Sequence, residues 1–150
     1  MVNFYGHVNS HKILKMASQS VASTEQSVTE IESFVRGYHE YKDIWQPKIG
    51  EVLPLKREPT NDNDRLAVSV ERRGQVVGHV PRNLAPLLSY FLLRDVNKGL
   101  VEMTGQPVNR GAGMGMEVPC VYHLFGPKTY LKRLEEVIKN DFTSVKIREK

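Results

Sequence analysis

The sequence predicts a mainly β domain of α+β type, with about six short antiparallel strands and two helices arranged as a small barrel. Three observations lead there. Short apolar runs rich in Val and Leu are separated by clusters of Gly, Pro, Asn and Asp, which is the punctuation of antiparallel hairpins. Only two stretches, one after Pro81 and one after Pro127, repeat apolar residues at helical spacing. A chain of 150 residues with 40 % hydrophobic content can build one modest core, and two full domains would be crowded.

At the N-terminus, SQSVASTEQSVTE is rich in Ser, Thr and Gln and has no apolar period. Such a segment buries too little to offset its ordering entropy, so residues 1–31 are expected to be a flexible tail. Phe34 to Tyr38 then opens the domain as a strand, followed by the loop HEYKDIWQPKIG. Trp45, the sole Trp, is expected to fold back onto the core; Tyr41, beside His39 and Lys42, could pack or could offer a stacking face. Val52, Leu53 and Leu55 make an edge or terminal strand, bounded by Pro54 and Pro59.

Thr60, Asn61, Asp62, Asn63 and Asp64 form a turn, because their short polar side chains can bond nearby backbone amides. Leu66 to Val70 follows as a strand, Glu71 to Gly74 as a hairpin turn, and Gln75 to Val80 as the return strand. Asn83 is the expected N-cap of a helix carrying Leu84, Leu87, Leu88, Phe91 and Leu92, which Gly99 stops. Leu100 to Val108 and Glu117 to Phe125 are two further strands joined by the Gly-rich loop NRGAGMGME. Pro127 opens the last helix, with Leu131, Leu134, Val137 and Ile138 on one face, and residues 141–150 are expected to be a charged tail.

Composition excludes several function classes. Cys120 is the only cysteine, so no intramolecular disulfide or cysteine-based zinc site can form, and it is expected to be a buried strand residue. No apolar run approaches the roughly 18 residues of a membrane helix, and no signal-peptide pattern opens the chain, so a soluble intracellular protein is expected. The Gly-rich loop lacks both phosphate-binding glycine patterns. No nucleophile and base, paired carboxylates or histidine pair stands out, and Asp62 and Asp64 lack the spacing of a calcium loop. Neither an enzymatic role nor a cofactor or metal is expected. A net charge of +4 permits a nucleic-acid partner without requiring one.

Within the central stretch, the order of residues resembles the HIRAN domain, a module found alone and at the front of some DNA-repair helicase-like ATPases. The resemblance is carried by Val35 and Gly37; by Arg57, Glu58, Pro59, Asn61 and Asp64; by Ala67 and Val70; and by Gly78, His79, Val80, Pro81 and Arg82. It gives a HIRAN-like domain over 32–140 and implies, with the strand count, a six-stranded antiparallel OB-like β-barrel with two α-helices.

The resemblance further implies capture of single-stranded DNA at a free 3′ end, in repair or replication-fork processing. Asp64 would accept the terminal hydroxyl with Asn61 beside it, His79 would line the pocket, Arg82 would meet a phosphate, and Tyr41 would stack on a base. Three positions depart from the family pattern. Asn63 stands where DNA-binding members carry an aromatic, Leu124 stands for a second base-facing aromatic, and His39 is the basic residue of a longer first loop. An Asx-type turn accounts equally well for Asn61 and Asp64, so a protein-interaction adaptor built on the same barrel is the alternative. A monomer in the nucleus, associating with a helicase-like ATPase or another repair protein, completes the expectation.

Overall fold

The structure, a computed structural model, describes residues 26–111 and 113–149. In chain order these form β1 (Ser27–Val35), α1 (Tyr38–Tyr41), β2 (Val52–Arg57), β3 (Val68–Arg72), β4 (Gln75–His79), α2 (Ala85–Leu92), β5 (Lys98–Met103), β6 (Val108–Asn109), β7 (Met116–Gly126), α3 (Lys128–Asp141) and β8 (Lys146–Ile147). The strands make one sheet in the order β4-β3-β2-β5-β7-β1-β8, with β6 on β7, and every pairing is antiparallel.

Strand β7 is the axis of the sheet. Its Val118, Cys120, Tyr122 and Leu124 point to one face at period two and join the main core, while Phe125 packs with Val52 and Leu100 on the other face. Helix α2 contributes Ala85, Leu88 and Phe91 to the core, and α3 contributes Leu131, Leu134 and Ile138. Trp45 is buried, donates from Nε1 to Glu51 across 3.1 Å and meets the Tyr38 ring edge-on. The β3–β4 hairpin turns through Arg73 and Gly74, both at positive φ, which gives two strands of matching twist a two-residue connection.

Several expectations about elements need correction. There are eight strands and three helices among the described residues, not six and two. β1 begins at Ser27, inside the expected tail, and residues 1–25 lie outside the described residues. Its polar positions find partners on other elements: Thr29 donates to Glu135 of α3, and Glu30 faces His123 of β7. Tyr38–Tyr41 is helical because Gly37, at φ 80, ends the strand. The N-cap of α2 is Leu84, not Asn83, and the helix stops at Leu92, leaving Gly99 in β5. The expected C-terminal tail is partly ordered too, since α3 reaches Asp141 and β8 pairs with Ile31 and Glu32 of β1.

The expected barrel is not closed by a continuous ladder. β1 meets β4 only where Arg36 and His79 exchange two backbone hydrogen bonds of 2.8 and 2.9 Å. Gly78 makes that approach possible, because a Cβ there would stand 2.5 Å from Val35 Cγ1 and 3.1 Å from the Arg36 carbonyl oxygen.

Candidate nucleic-acid interface

The site grows from the turn between β2 and β3. Asn61 Oδ1 accepts the backbone N–H of Asn63 at 2.9 Å and of Asp64 at 3.1 Å, and Asp64 Oδ1 accepts that of Leu66 at 3.0 Å. These nested Asx bonds hold the turn in one shape, and the Glu58 amide closes it on the Ala67 carbonyl at 3.0 Å. The second oxygen of Asp64, Oδ2, lies 3.6 Å from Arg82 Nε, too long for a hydrogen bond, and therefore keeps acceptor capacity.

Strand β4 brings the next group. His79, tied to Arg36 through its backbone, donates from Nε2 to Glu58 Oε1 at 2.8 Å, and Asn61 Nδ2 donates to the same oxygen at 3.2 Å. Glu58 thus fastens the turn to β4. Asn61, Asn63, Asp64, His79 and Arg82 all line one cleft of about 340 Å³, together with Arg36, Gly37 and Glu40. Its lining includes Arg36 and Arg82 but also Glu40 and Asp64, a mixed charge suited to a short polar end and poorly suited to a continuous polyanion.

Two sequence-predicted residues sit apart. The Tyr41 ring is 6.5 Å from that of His79 and tilted by 44°, beside the cleft without lining it; burial, then Glu40 and Glu58, raises its phenol pKa. His39 is exposed and lies against Gly115 of the β6–β7 loop. Leu124 faces no cleft at all. It is fully buried in the core, because the alternation of β7 places it with Cys120 and Tyr122. Arg57 of the motif turns to α2, where Nε donates to Ser89 Oγ at 3.2 Å.

Other residues of the site were not singled out from the sequence. Glu58 was visible as part of the motif, but its contact with His79 spans 21 residues. Arg36 borders the cleft and pairs with the buried Glu117 at 3.2 Å. Arg110 grips the same carboxylate, donating from Nε at 2.8 Å and from Nη2 at 3.2 Å, and these hydrogen bonds to Glu117 raise its pKa. Among the described residues, no three His, Cys, Asp or Glu side chains converge to hold a metal, and no helix is long and apolar enough to cross a membrane.

The family model of the HIRAN domain matches residues 28–119, more than half of the chain, and spans both strands and the turn that build this cleft. The chain belongs to the HIRAN family. Solved HIRAN structures share its fold. The crystal structure of the HIRAN domain of human HLTF superposes with a TM-score of 0.61 at 21 % identity, over 77 % of this chain and 91 % of that one. An NMR structure of the HLTF HIRAN domain gives 0.58 at 22 %, over 81 % and 93 %. An NMR structure of that domain in its DNA-bound conformation gives 0.56 at 22 %, over 77 % and 91 %. No curated protein matches the chain.

Proposed function

We propose that this HIRAN chain is a noncatalytic module that captures single-stranded DNA at a free 3′ end, in repair or replication-fork processing. The observation that carries the reading is Asp64. One carboxylate oxygen is spent on the turn, and the other, ion-paired with Arg82 at 3.6 Å, takes no hydrogen bond from it and has acceptor capacity left in a residue that lines the cleft. A terminal hydroxyl donates to such an oxygen, whereas a phosphate is repelled by it. Arg82, with a side chain 78 % exposed beside Asp64, supplies the cation for the adjoining phosphodiester. Membership of the HIRAN family, and the DNA-bound conformation described for the HLTF domain, support the same ligand class.

In this reading the domain is an OB-like barrel whose seam is the Arg36–His79 bridge, and it acts as a monomer in the nucleus. Its partner beyond DNA is a helicase-like ATPase or another repair protein. The test is the Asp64→Ala variant with its fold verified by circular dichroism: binding to single strands with a 3′-hydroxyl should fall about tenfold or more, and unchanged binding would overturn the assignment.

A protein-interaction adaptor is the second reading, favoured by Asn63 in place of an aromatic and by a turn that satisfies its own amides through Asn61. Recovery of the same partners from extracts before and after nuclease treatment would select it.

A further inference from the structure

A larger groove of about 920 Å³ lies beside the turn cleft, and Arg36 and Arg82 line both. Five cations border the larger groove, Arg36, Arg82, Arg110, Lys146 and Arg148, against a single lining acid, Glu32. Two of the five, Lys146 and Arg148, lie beyond residue 119, where the family match ends. They are placed by β8: the Arg148 amide bonds the Glu30 carbonyl at 2.9 Å, and Lys146 pairs in register with Glu32.

The arginines are held, not loose. Glu117, 1 % exposed, is shared by Arg36 and Arg110, so two guanidiniums and one carboxylate leave a net positive charge fixed at the groove wall. Arg36 also contacts the Met114 sulfur. Arg110 sits over the Phe34 ring, its Cζ 3.7 Å from the centroid, and the side chain remains 51 % exposed. The exposed half of its planar guanidinium gives a base a surface to stack on, and its remaining N–H donors are available to a phosphate. Arg148 uses Nε on Glu32 and Nη1 on Glu30, which leaves further donors on the same fork.

We propose that this groove carries the continuing single strand, with Arg36 and Arg82 at its junction with the turn cleft, Arg110 stacking on a base, and Lys146 and Arg148 meeting phosphates. The proposal rests on the end-capture reading above and assigns the path that the strand takes away from the end. The two arginines common to both cavities and the excess of cations in the groove's lining are what favour nucleic acid as the occupant.

The experiment is fluorescence anisotropy on the full chain, with a trinucleotide and a dodecanucleotide of DNA, each ending in a 3′-hydroxyl or a 3′-phosphate, at several salt concentrations. The dodecanucleotide should bind more tightly, with a steeper salt dependence. Arg110→Gln and Lys146→Glu should each weaken the dodecanucleotide about tenfold while leaving the trinucleotide and its preference for the hydroxyl unchanged. Lys146 is exposed, so that variant keeps the test valid if Arg110→Gln fails to fold. Equal affinity for both lengths, or variants that weaken both lengths alike, would overturn the groove while end capture could stand. Length dependence sensitive to these variants, without any hydroxyl preference, would overturn end capture and support the groove. No binding at either length would overturn both.

Discussion

His79 Nε2 donates to Glu58 Oε1 across 2.8 Å, and this bond fastens the end of β4 to the turn that follows β2. Glu58 also receives Asn61 Nδ2, so a single carboxylate oxygen couples the residue that shapes the turn to the residue that faces it. Replacing Glu58 by Ala leaves two half-buried donors without their acceptor. We expect Glu58→Ala to lower stability by about 1 to 2 kcal/mol in urea unfolding, and an unchanged midpoint would contradict the coupling.

Asn61 is predicted to serve the fold more than the ligand. Its Oδ1 is occupied by two backbone amides, and substitution by Ala exposes both to loss of a partner. Asn61→Ala should cost about 1 to 2 kcal/mol of stability, read from the thermal midpoint. A variant of full stability that loses only DNA binding would instead make Asn61 a direct contact.

Gly78 occupies the seam between β1 and β4. A Cβ at this position would press on Val35 and on the Arg36 carbonyl, both next to the bridge that joins the strands. Gly78→Ala should therefore destabilise the domain by about 1 to 3 kcal/mol, and amide exchange at Arg36 and His79 should accelerate. A variant with native stability and unaltered exchange would show that the seam has slack.

Stability should also fall in alkaline solution. Burial raises the pKa of the Cys120 thiol above its ordinary 9.0 and that of the Tyr122 phenol well above its ordinary 10.0. Both groups stay protonated in the folded state while the unfolded chain releases their protons, so the unfolded state gains as pH rises through 9.0 and then 10.0. This stabilisation is fully present below the ordinary values and is lost above them. The urea midpoint should drop between pH of about 8 and about 11, and the Tyr122→Phe variant should drop less; a flat profile would contradict the burial of both groups.

Local chemistry made much of this fold legible. The Arg73–Gly74 turn, the Pro127 start of α3 and the alternation of β7 are all set by neighbours in the chain, and sequence patterns report neighbours. β1 begins earlier than its local pattern suggests, because Thr29, Glu30 and Glu32 look like solvated tail until Glu135, His123 and Arg148 are placed against them. β8, two residues long, carries no period of its own. At the site, the turn residues and His79 come together in one cleft, whereas Glu58, Arg36 and Glu117 act through contacts 21 or more residues away. Leu124 stands where the family resemblance implies a base-facing aromatic, but its face on β7 puts it in the core.

The most direct test of the central claim compares short single-stranded DNAs of one sequence ending in a 3′-hydroxyl or a 3′-phosphate, with a duplex control, by fluorescence anisotropy at low salt. A cleft built on the Asp64 oxygen that the turn leaves without a hydrogen bond predicts tighter binding to the hydroxyl end, and loss of that preference in Asp64→Ala. Equal, salt-sensitive binding to both ends would contradict end capture and leave only a basic surface.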